Sequence, residues 1–326
     1  GTARKPREQR GCWRCGGGRW FWGAYDPIQA MVRQLAPAHS RPVGDRTRNL
    51  YWLEIGMYFT EYGHSAGKPV VYFHGVPGSS IEASLFDGSA LEQGLRVLCF
   101  DRFSIDQSVI GAAYYQHIAR AINEAVQGTP VDFIGFSMGS HVALETRRYL
   151  PKQVKRLHLI SAVAPLDQGE FLDGMAGKAV FSMAKHHPTL FQLLSRWQAV
   201  LAARVPGALF RMLFASAEGQ DRILASRPEF KRFISTMLQA CFARGVGGYV
   251  RDIDQFLAPW SDDIFDCETR VHLWHGTDDN WSPIGMSDYL AKSFRQTSGI
   301  ERTEGLSHYS CLYDAAPKIC QRLSSG

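Results

Sequence analysis

The chain has 326 residues, of which 45% are hydrophobic and 21% charged, and its formal net charge at pH 7 is +5. This length and apolar content predict a folded protein with a substantial core and exclude a disordered or fibrous chain. No run approaches the roughly 18 consecutive apolar residues that cross a bilayer, so we expect no membrane span.

The positive charge lies in the first 48 residues, which contain ten Lys or Arg and three Asp or Glu. The rest of the chain therefore has a net charge of −2, so its folded body offers no electrostatic basis for binding nucleic acid. Residues 1–47 mix basic, glycine and aromatic residues without sustained periodicity and lack the apolar core of a signal peptide. We expect them to form a basic, flexible leader.

The seven cysteines follow no regular framework, and Cys99 and Cys267 fall in or beside expected core elements. This usage is typical of reduced thiols and favours a cytoplasmic protein. Cys12 and Cys15 form one CxxC pair, but a structural zinc site needs a second ligand pair at compatible spacing, and none follows nearby. No metal site is predicted.

From Leu50 onward the sequence alternates between apolar β-rich runs and segments with helical periodicity. This alternation predicts βαβ units in a mostly parallel sheet flanked by helices, with the folded core beginning at residue 48. In chain order, the predicted elements are strands at LYWLEI, MYFTEYG and VVYFHG, a helix over 85–93, a strand at LRVLCFD, a helix over 109–127, a strand at VDFIG, a helix at SHVALETRRYL and a strand at VKRLHLIS.

After Ser161 the alternation stops for roughly a hundred residues, far more than the few that usually join a strand to its crossover helix. Residues 164–262 are helix-like and rich in aromatic residues and methionine, which predicts a helical insertion that caps the sheet. The core begun by residues 48–163 then resumes over 263–326. The predicted elements of this last part are a strand at TRVHLWHG, a helix over 283–294, a strand over 299–303 and a helix over 309–323.

The VDFIG strand meets the helix that follows it through Gly135, Phe136, Ser137, Met138 and Gly139. A serine between two glycines here predicts a turn so sharp that Ser137 has a strained backbone, and a side chain at either glycine would clash. Such a turn leaves the hydroxyl exposed above the sheet. It also places the first unpaired amides of the helix beside the serine, where a negative charge would be stabilised.

Four polar segments follow strands, at the edge where open α/β sheets build their sites. They read HGVPGSS, GFSMGS, HGTDDNWSP and EGLSHYS. In this order they resemble the α/β-hydrolase superfamily, in its serine esterase branch with a helical cap, and the resemblance covers nearly everything from Leu50 onward except the helical insertion. It implies an α/β-hydrolase fold, with a mostly parallel central sheet flanked by helices and an inserted helical cap.

The resemblance implies a catalytic triad in the chain order Ser, Asp, His. It makes Ser137 the nucleophile and His308 the base, since His308 alone among eleven histidines lies in a short loop after the final strand, downstream of the acid. The acid is Asp278 or Asp279, and Asp279 is favoured because it fits the family spacing G-x-x-D-x-x-x-P. The chemistry requires each role, because a serine hydroxyl needs an imidazole to take its proton and the imidazole needs a carboxylate to hold its tautomer.

The resemblance also implies an oxyanion hole formed by the backbone amides of Val76, in the HGVPG loop, and Met138, directly after the nucleophile. One segment departs from the family pattern. Where similar members often have D-R-x-G-x-G-x-S, residues 101–108 read DRFSIDQS, without the glycines. Because this loop touches the pocket, the departure concerns the shape of the substrate and leaves the triad intact.

These features predict a carboxylesterase that cleaves small to medium apolar carboxylic esters through an acyl-enzyme on Ser137, with no cofactor and no metal. The apolar side chains of the helical insertion, Trp197 and Met212 among them, either line the pocket or form the insertion's own core. A C–C bond hydrolase, an acyltransferase or a perhydrolase would use the same triad, and a non-catalytic ligand-binding protein would share the fold. Beyond a small-molecule ester no partner is predicted, and the oligomeric state is left open.

Overall fold

The computed structural model describes residues 50–266 and 268–325. The predicted leader, its CxxC pair and Cys267 lie outside these residues. The strands of the described part are β1 (Leu50–Trp52), β2 (Tyr58–Gly63), β3 (Lys68–Phe73), β4 (Leu95–Phe100), β5 (Val131–Phe136), β6 (Val154–Ile160), β7 (Arg270–Gly276) and β8 (Thr297–Thr303).

The strands form one sheet in the order β1-β2-β4-β3-β5-β6-β7-β8. In this order, each pair of neighbouring strands from β4 onward is parallel. At the other edge, β2 pairs antiparallel with both β4 and β1. The prediction of a mostly parallel sheet is therefore confirmed. All six residues of β5 and the last four of β3 are buried, as expected for central strands of a sheet that helices cover on both faces.

The α-helices of the described part are α1 (Asp87–Glu92), α2 (Gly111–Val126), α3 (Met138–Arg147), α4 (Lys178–His186), α5 (Pro188–Arg204), α6 (Pro206–Leu213), α7 (Gly219–Ala225), α8 (Pro228–Phe242), α9 (Gly247–Leu257), α10 (Gly285–Ser293) and α11 (His308–Ser324). Short 3₁₀ helices span Ser80–Phe86, Arg102–Ser104, Phe171–Gly174 and Asp262–Ile264. In residues 50–266 and 268–325, no helix has both the length and the apolar character needed to cross a membrane.

Strands β6 and β7 are neighbours in the sheet, but six α-helices, α4 to α9, lie between them in the chain. These helices belong to the helical insertion, whose domain boundaries at 164 and 262 stay a prediction. Phe214, which follows α6, packs on Trp281 and Tyr309 with ring centroids 5.5 and 5.8 Å away. Because these two residues follow β7 and β8, the insertion contacts the sheet edge where the strands' C-terminal ends meet.

Candidate active site

Ser137 lies at the turn between β5 and α3, with φ 53° and ψ −128°. A positive φ is uncommon for a residue with a side chain and marks a strained backbone, as the sequence predicted for this turn. Ser137 as a whole residue is only 8% exposed. The HGVPG loop passes against it, so that a Cβ built on Gly75 would lie 3.5 Å from the Cβ of Ser137.

Close backbone contacts require both glycines of this turn. A side chain at Gly135 would place its Cβ 2.7 Å from Ser140 Cα, and one at Gly139 would place its Cβ 2.2 Å from the carbonyl oxygen of Phe73. Both distances are far shorter than a van der Waals contact, and packed backbone atoms cannot move aside as a flexible side chain can. The conformation of Ser137 therefore depends on glycine at both positions.

We expect Gly139→Ala to destabilise the protein by about 3 kcal/mol, because the new methyl group overlaps the carbonyl oxygens of Phe73 and His74. Gly88→Ala is the matched control, since a Cβ at this α1 position meets no atom within 4 Å and alanine favours a helix. Urea unfolding measures both free energies. A Gly139→Ala protein as stable as wild type would contradict the steric requirement.

His308 and Asp279 form a buried hydrogen-bonded pair. His308 Nδ1 lies 2.8 Å from Asp279 Oδ2 and 3.1 Å from Asp279 Oδ1. Asp279 Oδ1 also accepts hydrogen bonds from the backbone amides of Trp281 and Ser282, both at 2.9 Å. These amides orient the carboxylate, and the carboxylate in turn fixes the orientation of the imidazole.

The two adjacent aspartates have different environments. Asp278 is exposed and accepts a hydrogen bond from Thr277 Oγ1 at 3.0 Å. Burial by itself would raise the pKa of Asp279. The charge and hydrogen bond of His308 and the nearby His275 outweigh this effect, so the pKa of Asp279 lies below its usual range. Of the two candidates for the acid, the structure places Asp279 against the imidazole, with its carboxyl ionised at neutral pH.

His308 is the first residue of α11, whereas the sequence suggested a loop position. The helix begins here because its first amides find acceptors: Ser307 N donates to Ser310 Oγ at 2.8 Å, and Tyr309 N and Ser310 N donate to the carboxylate of Asp221 at 2.9 and 2.7 Å. The imidazole lies between two aromatic rings, with centroids 4.7 Å from Phe136 and 5.5 Å from Trp281, and it is nearly parallel to the indole. Both aromatic rings restrict the motion of the imidazole, the indole by stacking and the phenyl ring by a tilted contact.

The structure brings two of the three predicted triad side chains into contact. Ser137 directly follows Phe136, whose ring packs on the imidazole of His308. Within residues 50–266 and 268–325, however, the hydroxyl of Ser137 makes no hydrogen bond. Catalytic hydrogen bonds are often long without substrate and tighten in the reacting complex. The catalytic roles of Ser137, Asp279 and His308 stay predictions.

The two amides predicted to form an oxyanion hole both border Ser137. Met138 is the first residue of α3, so its amide has no acceptor within the helix. Val76 follows Gly75, which packs against Ser137. In the described part of the chain neither amide donates a hydrogen bond, so both are free to bind a developing anion.

Other titratable groups near the site have structural roles. His74 Nδ1 lies 2.8 Å from the carbonyl oxygen of Gly75, and His275 Nδ1 lies 2.6 Å from Ser287 Oγ. Burial lowers the pKa of both histidines, so they are neutral at pH 7, and burial raises the pKa of the Cys311 thiol, which disfavours a thiolate nucleophile. No group of three or more His, Cys, Asp or Glu among the described residues could hold a metal ion.

Residues 70–320, most of the chain, match the model of the alpha/beta hydrolase family. The chain belongs to the alpha/beta hydrolase family. The predicted family and fold class are thereby confirmed.

Solved structures similar to this alpha/beta hydrolase include two esterases and a bromoperoxidase. The esterase EaEST from Exiguobacterium antarcticum is 18% identical with a TM-score of 0.60, covering 86% of this chain and 98% of that one. The esterase RhEst1 from Rhodococcus sp. ECU1013 is also 18% identical with a TM-score of 0.60, covering 86% and 99%. The bromoperoxidase from Bacillus anthracis is 16% identical with a TM-score of 0.61, covering 84% and 98%. At these identities the likeness concerns the fold alone.

Sequence reasoning missed a buried acid beside the HGVPG loop of this alpha/beta hydrolase. Glu82 is completely buried, and its Oε2 accepts hydrogen bonds from Gly75 N at 2.7 Å and Tyr72 OH at 2.9 Å. Burial raises the pKa of Glu82 to about 7, although these two hydrogen bonds oppose the change. Because Gly75 precedes Val76, Glu82 holds the segment that carries one predicted oxyanion amide. A single sequence does not distinguish such a residue from an exposed glutamate.

The buried Glu82 should make this alpha/beta hydrolase less stable as the pH rises. Its pKa is about 7 in the folded protein against an ordinary value of 4.5, so between these values the folded state binds more protons than the unfolded chain. Relative to wild type, we expect Glu82→Gln to gain roughly 3 kcal/mol of stability between about pH 4.5 and about pH 8. Urea unfolding across this range measures the difference, and a difference that does not vary with pH would contradict the buried ionisation.

A second unforeseen contact joins the DRFSIDQS loop to the helical insertion. Arg102 is buried and pairs with Asp252 of α9 at 2.7 Å, while its guanidinium also donates to the carbonyl oxygen of His74 at 2.9 Å. Asp252 in turn accepts a hydrogen bond from Tyr114 OH at 2.7 Å. Phe103 packs edge-on against His74, with ring centroids 5.0 Å apart. Arg102 and Phe103 stand at the R and first x positions of the family pattern, and Ser104 and Asp106 stand where that pattern has glycine.

Proposed function

We propose that this chain is a serine carboxylesterase that cleaves apolar carboxylic esters through an acyl-enzyme on Ser137. The observation that carries the proposal is the buried pair beside the strained turn, in which His308 Nδ1 lies 2.8 Å from Asp279 Oδ2. A serine hydroxyl becomes a useful nucleophile when an oriented imidazole takes its proton, and an ionised carboxylate provides that orientation. The printed names of two structurally similar proteins, both esterases, support the reaction class.

In the proposed mechanism, the oxygen of Ser137 attacks the ester carbonyl carbon while Nε2 of His308 takes the hydroxyl proton. Asp279 accepts the hydrogen bond from Nδ1–H and stabilises the imidazolium that forms. The amides of Val76 and Met138 donate to the carbonyl oxygen as it becomes an anion, and each such donor lowers the barrier by about 3 kcal/mol. His308 then gives its proton to the departing alcohol, which leaves the acyl group on Ser137.

The second half of the reaction uses the same groups. His308 takes a proton from water, the water oxygen attacks the acyl carbon, and the carboxylic acid leaves as Ser137 recovers its proton. The aromatic surroundings of His308 support an apolar substrate. Trp281 stacks on the imidazole, and Phe214 packs on Trp281 with centroids 5.5 Å apart.

A panel of p-nitrophenyl esters of increasing acyl length tests the proposal in wild type and Ser137→Ala. We expect wild type to hydrolyse esters in this panel. In a second measurement, an organophosphate delivers a diethyl phosphate group to the protein, and we expect peptide mass spectrometry to locate this group on Ser137. Wild type that hydrolyses no ester, or a label on another residue, would refute the proposal.

Product analysis separates two of the alternatives that share the triad, acyl transfer and perhydrolysis. Hydrolysis yields the free carboxylic acid, whereas acyl transfer yields a new ester when an alcohol is supplied, and perhydrolysis yields a peracid when hydrogen peroxide is supplied. We expect the free acid as the main product in every mixture. A peracid or transfer product formed faster than the free acid would assign the chain to another reaction.

A further inference from the structure

Helix α5 has two opposite faces that differ in what covers them. Its inner face consists of residues spaced four, three and four apart that are buried in the protein, namely Phe191, Ser195, Gln198 and Ala202. Its outer face has the same kind of spacing but lies open, with Leu190, Leu193, Trp197 and Val200 between 46% and 58% exposed. Side chains three and four residues apart share one side of a helix, so these four form a continuous stripe.

Apolar side chains are also exposed beyond the end of the helix. Val205, between α5 and α6, and Met212 near the end of α6 are each 49% exposed. We call the exposed apolar residues of α5 and α6 the apolar face of the insertion, namely Leu190, Leu193, Trp197, Val200, Val205 and Met212. Trp197 and Met212 are therefore about half exposed and are not part of the buried core. Scattered apolar residues are ordinary on a surface, but a contiguous apolar patch marks an interaction site.

The charged residues of the segment that forms the apolar face all have one sign. From Gly174 to Ala217 the sequence contains five Lys or Arg and no Asp or Glu. The exposed members on or next to the helices that form the face are Lys185, Arg196, Arg204 and Arg211. One acid of a neighbouring helix, Asp254 of α9, lines the same cavity as Arg196. An exposed apolar stripe that includes tryptophan, on helices with basic and no acidic residues, is typical of helices that lie in the interface of an anionic membrane.

We propose that the apolar face of the insertion docks on an anionic lipid surface. The leucine, valine and tryptophan side chains enter the boundary between headgroups and acyl chains, and the basic side chains contact lipid phosphates. A second copy of the chain fits less well, because a two-fold contact would bring the same cationic groups together with no carboxylates between Gly174 and Ala217 to pair with them. The leader fits less well for the same reason, since residues 1–48 have ten basic and three acidic residues.

Vesicle flotation of the whole 326-residue chain tests this proposal. We expect binding to vesicles of phosphatidylcholine with about 30% phosphatidylglycerol, and weaker binding to phosphatidylcholine alone or in high salt. The double variant Leu193→Ser/Trp197→Ser should bind the anionic vesicles about tenfold more weakly or worse, and Arg196→Glu/Arg204→Glu should lose most of the dependence on anionic lipid.

Leu91→Ser and Ile110→Ser are the matched controls, because these leucine and isoleucine side chains are 55% and 61% exposed but lie outside the helical insertion. They should bind vesicles as wild type does, and urea unfolding should show all variants folded. Unchanged binding of Leu193→Ser/Trp197→Ser would overturn the proposal, because another part of the chain would then hold the membrane. A wild-type dimer by light scattering that the same variant makes monomeric would assign the face to a second copy. None of these residues contacts the Asp279–His308 pair, so ester hydrolysis reports on the proposed function separately.

Discussion

Ser137→Ala should lower kcat for p-nitrophenyl ester hydrolysis on the order of 10⁵-fold while leaving the protein folded. The substitution removes the oxygen that forms the acyl-enzyme, so the remaining rate depends on direct attack by water. The backbone of the turn is held by glycine contacts and by hydrogen bonds from Ser137 N to Ile160 O and from Ser140 N to Ser137 O, both 3.0 Å, and none of these involves the hydroxyl. Ester hydrolysis assays measure kcat of both proteins, with long incubations for the slow variant. Circular dichroism of both proteins shows whether the variant is folded.

Ser140→Ala provides the control for this substitution. Ser140 lies in the same turn, and its hydroxyl donates to the carbonyl oxygen of Ser137 and accepts from Val163 N, but it has no role in the proposed chemistry. We expect this variant to lose about 1 kcal/mol of stability and to keep kcat within about tenfold of wild type. A Ser137→Ala protein that retains wild-type kcat would eliminate the acyl-enzyme mechanism.

Asp279→Asn should lower kcat by about 10⁴-fold with little change in KM. The carboxylate accepts from His308 Nδ1 at 2.8 Å through Oδ2 and from two backbone amides at 2.9 Å through Oδ1. In asparagine the amide oxygen can still accept from the two backbone amides, so the NH2 group faces His308 Nδ1. This favours the tautomer with the proton on Nε2 and prevents the imidazole from taking the serine proton. Steady-state kinetics above and below neutral pH measure the loss.

Asp278→Asn is the neighbouring control. The Asp278 side chain is exposed, and its contact in the structure is with Thr277, so we expect kcat within about threefold of wild type. Equal losses in Asp278→Asn and Asp279→Asn would mean that neither carboxylate orients the imidazole. A larger loss of kcat in Asp278→Asn than in Asp279→Asn would assign the role of the triad acid to Asp278.

Local patterns were sufficient for the order of strands and helices. The VDFIG run became β5 and the VKRLHLIS run became β6, because a continuous apolar segment can be buried on both sides of a covered parallel sheet. The turn at Ser137 followed from its two glycines, whose Cβ positions are occupied by backbone atoms. The choice of Asp279 rested on motif spacing alone, and the structure places this residue, and not the exposed Asp278, against the imidazole.

Residues whose roles arise between distant segments escaped prediction. Glu82 lies in a 3₁₀ helix but holds Gly75 and contacts Tyr309, which is 227 residues away in the sequence, with oxygens 3.4 Å apart. Arg102 and Asp252 are separated by 150 residues, and their ion pair depends on how α9 packs over the DRFSIDQS loop. Periodicity reports on one element at a time, so it carries no signal for such pairs.

The amino-acid sequence by itself determined the alternating elements, the family and the residue types at the sheet edge, because these follow from apolar period, turn chemistry and short motifs within single segments. The tertiary structure alone decided that Glu82 holds the HGVPG loop, that Arg102 pairs with Asp252, and which face of α5 remains uncovered. These depend on the packing of segments far apart in the chain, since an apolar stripe has the same pattern whether the protein buries it or leaves it open to a partner.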